Sequence, residues 1–163
     1  MSVRAECFWT YRSPITNNRV MEMWELVIRE SVRQTLADYT AGTDRNRLED
    51  IAACFAPDGA LTISGREPMV GPAAIVTGLG AQVNRFAAGP VPLTHVRHHV
   101  SSVRFGAVSR DRVEVSSYFL AVTNIGVDHW GRYRDVLVPV DGRWLFASRE
   151  ASADGFSPGS LMR

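Results

Sequence analysis

The residues of this chain best suited to chemistry are its histidines, three of which (His95, His98 and His99) fall close together just after Pro90 and Pro92. Imidazole titrates near neutrality, so one side chain can take a proton and give it back, as eliminations and isomerisations require. The prolines and the valines beyond them favour a strand over a helix. On a regular strand His95, Arg97 and His99 project to one side and His98 to the other. His99 is a candidate base, and a bulge in the strand would exchange the two and make His98 its substitute. A metal reading of the trio gains no support, because no H-E-x-x-H pattern or facial carboxylate accompanies it.

Carboxylates and phenols complete the set of candidates. Asp44 follows a helix break at Gly42, where its side chain can turn back under a sheet; its plainer role is to cap a helix starting near Arg45. Tyr39 can donate its hydroxyl to a carbonyl or leaving group, or simply end an apolar helix stripe. Tyr133 and Asp135 share a strand face with His129 and Leu137. An inward aspartate is costly unless paired, and Arg149 on the neighbouring strand is its candidate partner. That cluster either orients a ligand or holds two strands in register.

The elements that must position these groups follow from periodicity. Trp24, Val27, Ile28, Val32, Leu36 and Tyr39 recur at steps of three and four, which predicts a helix ended by Gly42. A second short helix places Leu48, Ile51, Ala52 and Phe55 inward and closes at the turn Pro57-Asp58-Gly59. A short strand covers 60–64, and a third helix runs from Gly71-Pro72 to about Phe86, weakened by Gly78 and Gly80 and broken at Gly89-Pro90. Strands are then expected over 93–108, 112–123, 127–140 and 143–151, the last two joined by the hairpin signal Asp141-Gly142. Helices first and a meander after make an α+β domain, in which a curved antiparallel sheet leaves a concave interior for a ligand.

The 163 residues, 45% hydrophobic and 21% charged, suit one globular domain at 21–153, with an N-terminal extension at 1–20 and a tail at 154–163. A net charge of +1 and no concentrated basic face argue against broad nucleic-acid binding. No apolar run suggests a membrane span, and a cytoplasmic location is expected. Cys54 reads as a small core residue and Cys7 stands apart from it, so neither a disulfide nor a zinc site is expected. No phosphate-binding glycine motif occurs, so no nucleotide cofactor is indicated.

Several segments carry a resemblance to a known family: Tyr39-Thr-Ala-Gly-Thr-Asp44, the run Leu48 to Gly59, Gly71-Pro-Ala-Ala-Ile75, His99-Val-Ser-Ser, His129 to Asp135 and Asp141 to Arg149. In this order, over about 22–151, the chain resembles the SnoaL-like branch of the nuclear transport factor 2-like superfamily. The resemblance implies a cone-shaped α+β domain around a hydrophobic small molecule, with no cofactor, and a homodimer formed through an outer sheet face to which Trp130 and Trp144 contribute. It is strongest toward lyases such as scytalone dehydratase, bile-acid dehydratase and hexachlorocyclohexane dehydrochlorinase, and polyketide cyclases and isomerases share the fold. It implies His99 as base, Asp44 as its orienting carboxylate and Tyr39 as assistant; Tyr133, Asp135, His98, Tyr118 and Arg149 are the residues expected around the substrate. The pattern also departs from its relatives: Thr40 stands where scytalone dehydratase has an aspartate, Tyr118 where it has a second histidine, and Val103 where an asparagine is common. The rival reading is a non-catalytic ligand carrier, or a small β-type subunit of a larger oxygenase.

Overall fold

The computed structural model describes residues 20–63, 65–87 and 91–162. Nearly all of the expected N-terminal extension, Cys7 and the Gly89-Pro90 break therefore lie outside the described residues. Helix α1 (Met23–Asp44) buries the anticipated stripe of Ile28, Val32, Leu36 and Tyr39. Each such side chain contributes about 1.5–3 kcal/mol by leaving water. Gly42 does not end this helix. It sits inside the last turn because a Cβ there would lie 3.1 Å from Ile51 Cγ1, so the missing side chain lets α2 (Leu48–Ala52) pack closely. The helix ends two residues later at Asp44, after which Arg45 leaves helical geometry and Asn46 adopts φ 53°.

The chain then enters β1 (Phe55–Ile63), β2 (Met69–Val70) and α3 (Pro72–Ala87), followed by β3 (Val96–Val108), β4 (Val113–Thr123), β5 (Gly126–Val140) and β6 (Arg143–Phe156). Pro57-Asp58-Gly59 lies within β1, as an irregularity where its register against β6 shifts, and not as a turn before it. Gly78 and Gly80 remain helical. Strand β6 continues to Phe156, three residues into the segment read as a tail, and pairs there with His129.

The sheet runs β2-β1-β6-β5-β4-β3. One correction to the expected antiparallel sheet is needed: β1 and β6 pair in parallel, so the sheet is mixed. The parallel pair arises because β1 slots beside the last strand from across the fold, which a hairpin cannot do. Asp141 (φ 48°) and Gly142 (φ 79°) make the left-handed two-residue turn that suits the twist of β5 and β6. The concave face packs on α1, where Thr35 Oγ1 donates to the carbonyl of Trp144 at 2.5 Å. Trp144 thus belongs to the buried core and not to the outer face; Trp130 is exposed.

Two bulges decide what the concave face displays. In β3, Ser101 lies opposite Tyr118 and Arg104 opposite Ser116, so one residue too many is accommodated at Ser102, whose φ is 52°. In β5, His129 pairs with Ala121 but Val127 with Val122, leaving Asp128 as the extra residue. A bulge inverts the in-and-out alternation on one side of itself.

Candidate functional site

The Ser102 bulge settles which histidine faces inward. Val103 and Phe105 pack toward the core on one side of it, and on the other the inward positions become Val100 and His98. His98 pairs with the buried Ala121, whereas His99 pairs with the exposed Leu120 and projects from the convex face. His98 therefore occupies the place expected of His99. Tyr118, opposite Ser101, is likewise outward and about half exposed, far from any role around a concave pocket. Counting four residues on from His98 reaches Ser102 rather than Val103, and a left-handed φ is the conformation asparagine tolerates best after glycine.

Asp44, at the C-terminal end of α1, meets His98 twice through one oxygen. Its Oδ1 accepts from the His98 backbone N–H at 3.0 Å and lies 2.8 Å from His98 Nδ1. A carboxylate only accepts, so the contact fixes the proton of a neutral ring on Nδ1 and leaves Nε2 as the basic atom. The side chains are 9% and 17% exposed, screened enough for the pairing to orient the ring. Arg97, on the outward side, donates from Nη1 to the Asp44 carbonyl at 3.2 Å and ties the same helix end to β3.

A second histidine–carboxylate pair stands beside the first. The Asp128 bulge turns two consecutive residues inward, so that Asp128 Oδ1 lies 3.0 Å from His129 Nδ1. The His98 and His129 rings are 6.2 Å apart, centre to centre, and both contact Phe119. Asp128 is fully buried and also accepts from Ser160 Oγ (2.7 Å), Leu161 N–H (2.9 Å) and Thr123 Oγ1 (3.3 Å). Burial alone would raise its pKa, but these donors bring it below the usual carboxylate value. For His129, burial outweighs the carboxylate and lowers the pKa, favouring a neutral ring. The residues after Phe156 are thereby held against the wall of the site.

This arrangement has a pH signature. The fold prefers neutral His129, so its contribution to stability is present above the ordinary value near 6.5 and is lost as pH falls through its lowered folded value. The melting temperature should hold above pH 7 and decline below about pH 6.5. In His129→Phe this part of the decline should be missing; an unchanged calorimetric profile would count against the pair.

Tyr39, Tyr133, Asp135 and Arg149 form the floor. Arg149, 1% exposed, donates Nε to Asp135 Oδ1 and Nη2 to Oδ2, both at 2.8 Å. Its guanidinium lies 4.1 Å from the Tyr39 ring centre and 4.2 Å from those of Tyr133 and Phe146. Both Asp135 oxygens are engaged, so the pair holds β5 and β6 in register across their facing positions. Arg149 Nη1 and Ser117 Oγ remain buried without a hydrogen-bond partner, the floor's free polar atoms. Burial raises the Tyr39 and Tyr133 pKa values, so both phenols stay protonated. Tyr39 packs edge-on against Tyr133 at 6.3 Å and reaches the histidines only through that ring and Phe119.

Between α1 and β3 lies a cavity of about 510 Å³, within the range of small-molecule pockets. Asp44 and Val100, two residues beyond His98 on the same face, line it. Among the described residues no group of three or more histidine, cysteine or acidic side chains converges as a metal-ligand set, and no helix is long and apolar enough to cross a membrane.

His129 escaped notice as a site residue although the alternation that turned Tyr133 and Asp135 inward includes it. Its pairing with Asp128 had no sequence signal, because it depends on the bulge.

A curved mixed sheet closed over one long helix defines a domain of the nuclear transport factor 2-like fold. The SnoaL-like domain model matches residues 24–150, and the chain belongs to that family. No curated protein matches the chain. Among solved structures it is similar to a proposed scytalone dehydratase from Novosphingobium aromaticivorans DSM 12444, with 25% identity, a TM-score of 0.71 and coverage of 84% of this chain and 91% of that one. A protein from Catenulispora acidiphila, solved in complex with S-DNPA, is 29% identical, with a TM-score of 0.67 over 79% of this chain and 95% of that one. Hexachlorocyclohexane dehydrochlorinase LinA-type3 from Novosphingobium barchaimii LL02, at 19% identity, shares the fold, with a TM-score of 0.71 and coverage of 85% and 94%.

Proposed function

We propose that the chain is a cofactor-independent acid/base enzyme, a dehydratase, isomerase or cyclase, acting on a hydrophobic ring-bearing small molecule. The observation that carries this reading is the double contact of one Asp44 oxygen with the backbone and ring of His98. His98 Nε2 takes a proton from carbon next to a carbonyl, and the C–H electrons become the new double bond. In a dehydration the C–O bond breaks with its electron pair, and the leaving hydroxyl takes the proton back from the His98 imidazolium and departs as water. Asp44 stabilises the imidazolium that forms, as an orienting carboxylate does in a hydrolase triad. His129, whose ring adjoins that of His98, is positioned to orient the departing group.

The test is the tautomer of the neutral histidine rings, read from their ring nitrogen shifts by NMR in wild type and Asp44→Ala. His98 should carry its proton on Nδ1 in the wild type and lose that preference when the carboxylate is removed, while the outward His99 is the same in both proteins. A His98 alike in both proteins would leave no oriented base, and the non-catalytic carrier or oxygenase subunit would take its place. The reading extends to a cytoplasmic homodimer joined through Tyr118, Leu120 and Trp130, apolar residues exposed on adjoining strands of the convex face. Sedimentation of Leu120→Glu should then report a monomer.

A further inference from the structure

The cavity between α1 and β3 is lopsided in charge. Arg33, Arg45 and Arg97 line it, and Asp44 is the only acidic residue among its lining groups. The Asp44 carboxylate is already engaged by the His98 ring and backbone N–H. Among the described residues none of the three arginines has a carboxylate within ion-pair distance. Arg33 lies over the Phe105 ring at 5.1 Å, Arg45 reaches only the Ala41 carbonyl at 3.5 Å, and Arg97 reaches main-chain carbonyls. Carbonyl oxygens and a ring face leave the positive charges uncompensated.

The rest of the lining is apolar but for Thr40, whose hydroxyl is spent on the Leu36 carbonyl. Ala37 and Ala41 on α1 stand a turn apart with Arg33 and Arg45 on either side of them along the helix, and Val100 and Val103 face them from β3. Alanine at these places keeps the gap open, and the i, i+4 spacing puts the two guanidinium groups at opposite ends of an apolar slot. A chain whose charges nearly balance overall thus gathers three unpaired cations around one pocket. The three guanidinium groups stand exposed around its mouth, where their summed positive field favours an anion.

We infer that the cavity takes an amphipathic anion: a ring-bearing molecule whose carboxylate, or other acidic group, rests on Arg45 and Arg97 while its apolar body lies along Ala37, Ala41, Val100 and Val103 toward the Asp44–His98 pair. This names a substrate class for the reaction proposed above and rests on that reading of the site. The guanidinium forks suit a carboxylate through paired N–H donors.

The probes are 1-naphthoate and its uncharged isostere 1-naphthamide, followed through the methyl NMR signals of Leu36, Val100 and Val103. Naphthoate should bind at least about tenfold more tightly than naphthamide, and raising the salt should erode that preference. R45Q/R97Q should cost naphthoate at least about fivefold and naphthamide less than twofold, with the single variant R45Q showing a part of the effect should the double fail to fold. Equal affinity for the two probes, equal losses for both in the variant, or shifts that bypass these three residues would overturn the inference. The His98 tautomer in wild type and D44A keeps the two possible failures apart. Lost charge selectivity with an intact His98–Asp44 coupling sinks the anion and leaves the base; retained selectivity without coupling does the reverse.

Discussion

Replacing Asp135 by alanine should destabilise the protein by about 3–5 kcal/mol, the cost of leaving a buried cation unpaired. Arg149 cannot escape into solvent, being 1% exposed, and it cannot readily shed its proton. Burial alone would lower its pKa, but the Asp135 charge and hydrogen bonds more than compensate, and it is raised above an already high value. Removing Asp135 takes away both bonds of 2.8 Å and leaves the guanidinium among Tyr39, Tyr133 and Phe146. For a domain of this size the melting temperature should fall by about 10 °C. Changing both partners, as Asp135→Leu with Arg149→Met, should cost distinctly less than Asp135→Ala, since no charge is then stranded. Urea denaturation gives the comparison directly. A loss under 1 kcal/mol in the single variant would mean that water reaches the pair.

The second large effect concerns catalysis and separates two neighbouring residues. With any substrate the protein turns over, His98→Ala should lower kcat by about 10²–10⁴, the usual worth of a positioned general base. His99→Ala should leave kcat within about twofold, because its ring projects from the other face of the sheet. Both variants should retain the wild-type fold by circular dichroism. Bound 1-naphthamide, which needs no proton transfer, should be held equally by the two. The reverse pattern of rates would mean that β3 runs without its bulge in the working enzyme.

That pair of variants also marks where sequence reasoning stops. The stripe Ile28, Val32, Leu36 and Tyr39 was legible because helical periodicity is local and repeats over several turns. Asp141-Gly142 was legible because two consecutive left-handed residues narrow the choice of amino acids. Asp44 was legible as a group near a histidine strand. The choice between His98 and His99 was not, because it turns on one extra residue at Ser102, and a bulge is set by how β3 meets β4. The same holds at Asp128. Alternation turns His129 inward, yet only the second bulge brings the preceding carboxylate in with it. Gly42 misled for a different reason: glycine often stops a helix, but here it admits the close approach of Ile51. A cavity wall made by two distant elements, α1 and β3, has no signature in either segment alone.

The parallel pairing of β1 with β6 has a kinetic consequence. Strands β3 to β6 follow one another as antiparallel neighbours and can zip up by successive local contacts, whereas Leu61 finds its place beside Arg149 only across most of the chain. Loop closure over such a distance is slow, so the meander should form first and the N-terminal segments dock onto it afterwards. Asp44 arrives with those segments, and His98 waits for it on the meander. Histidine and aspartate should therefore meet in the last event of folding, and a chain caught just before it would hold most of its sheet and an unoriented imidazole.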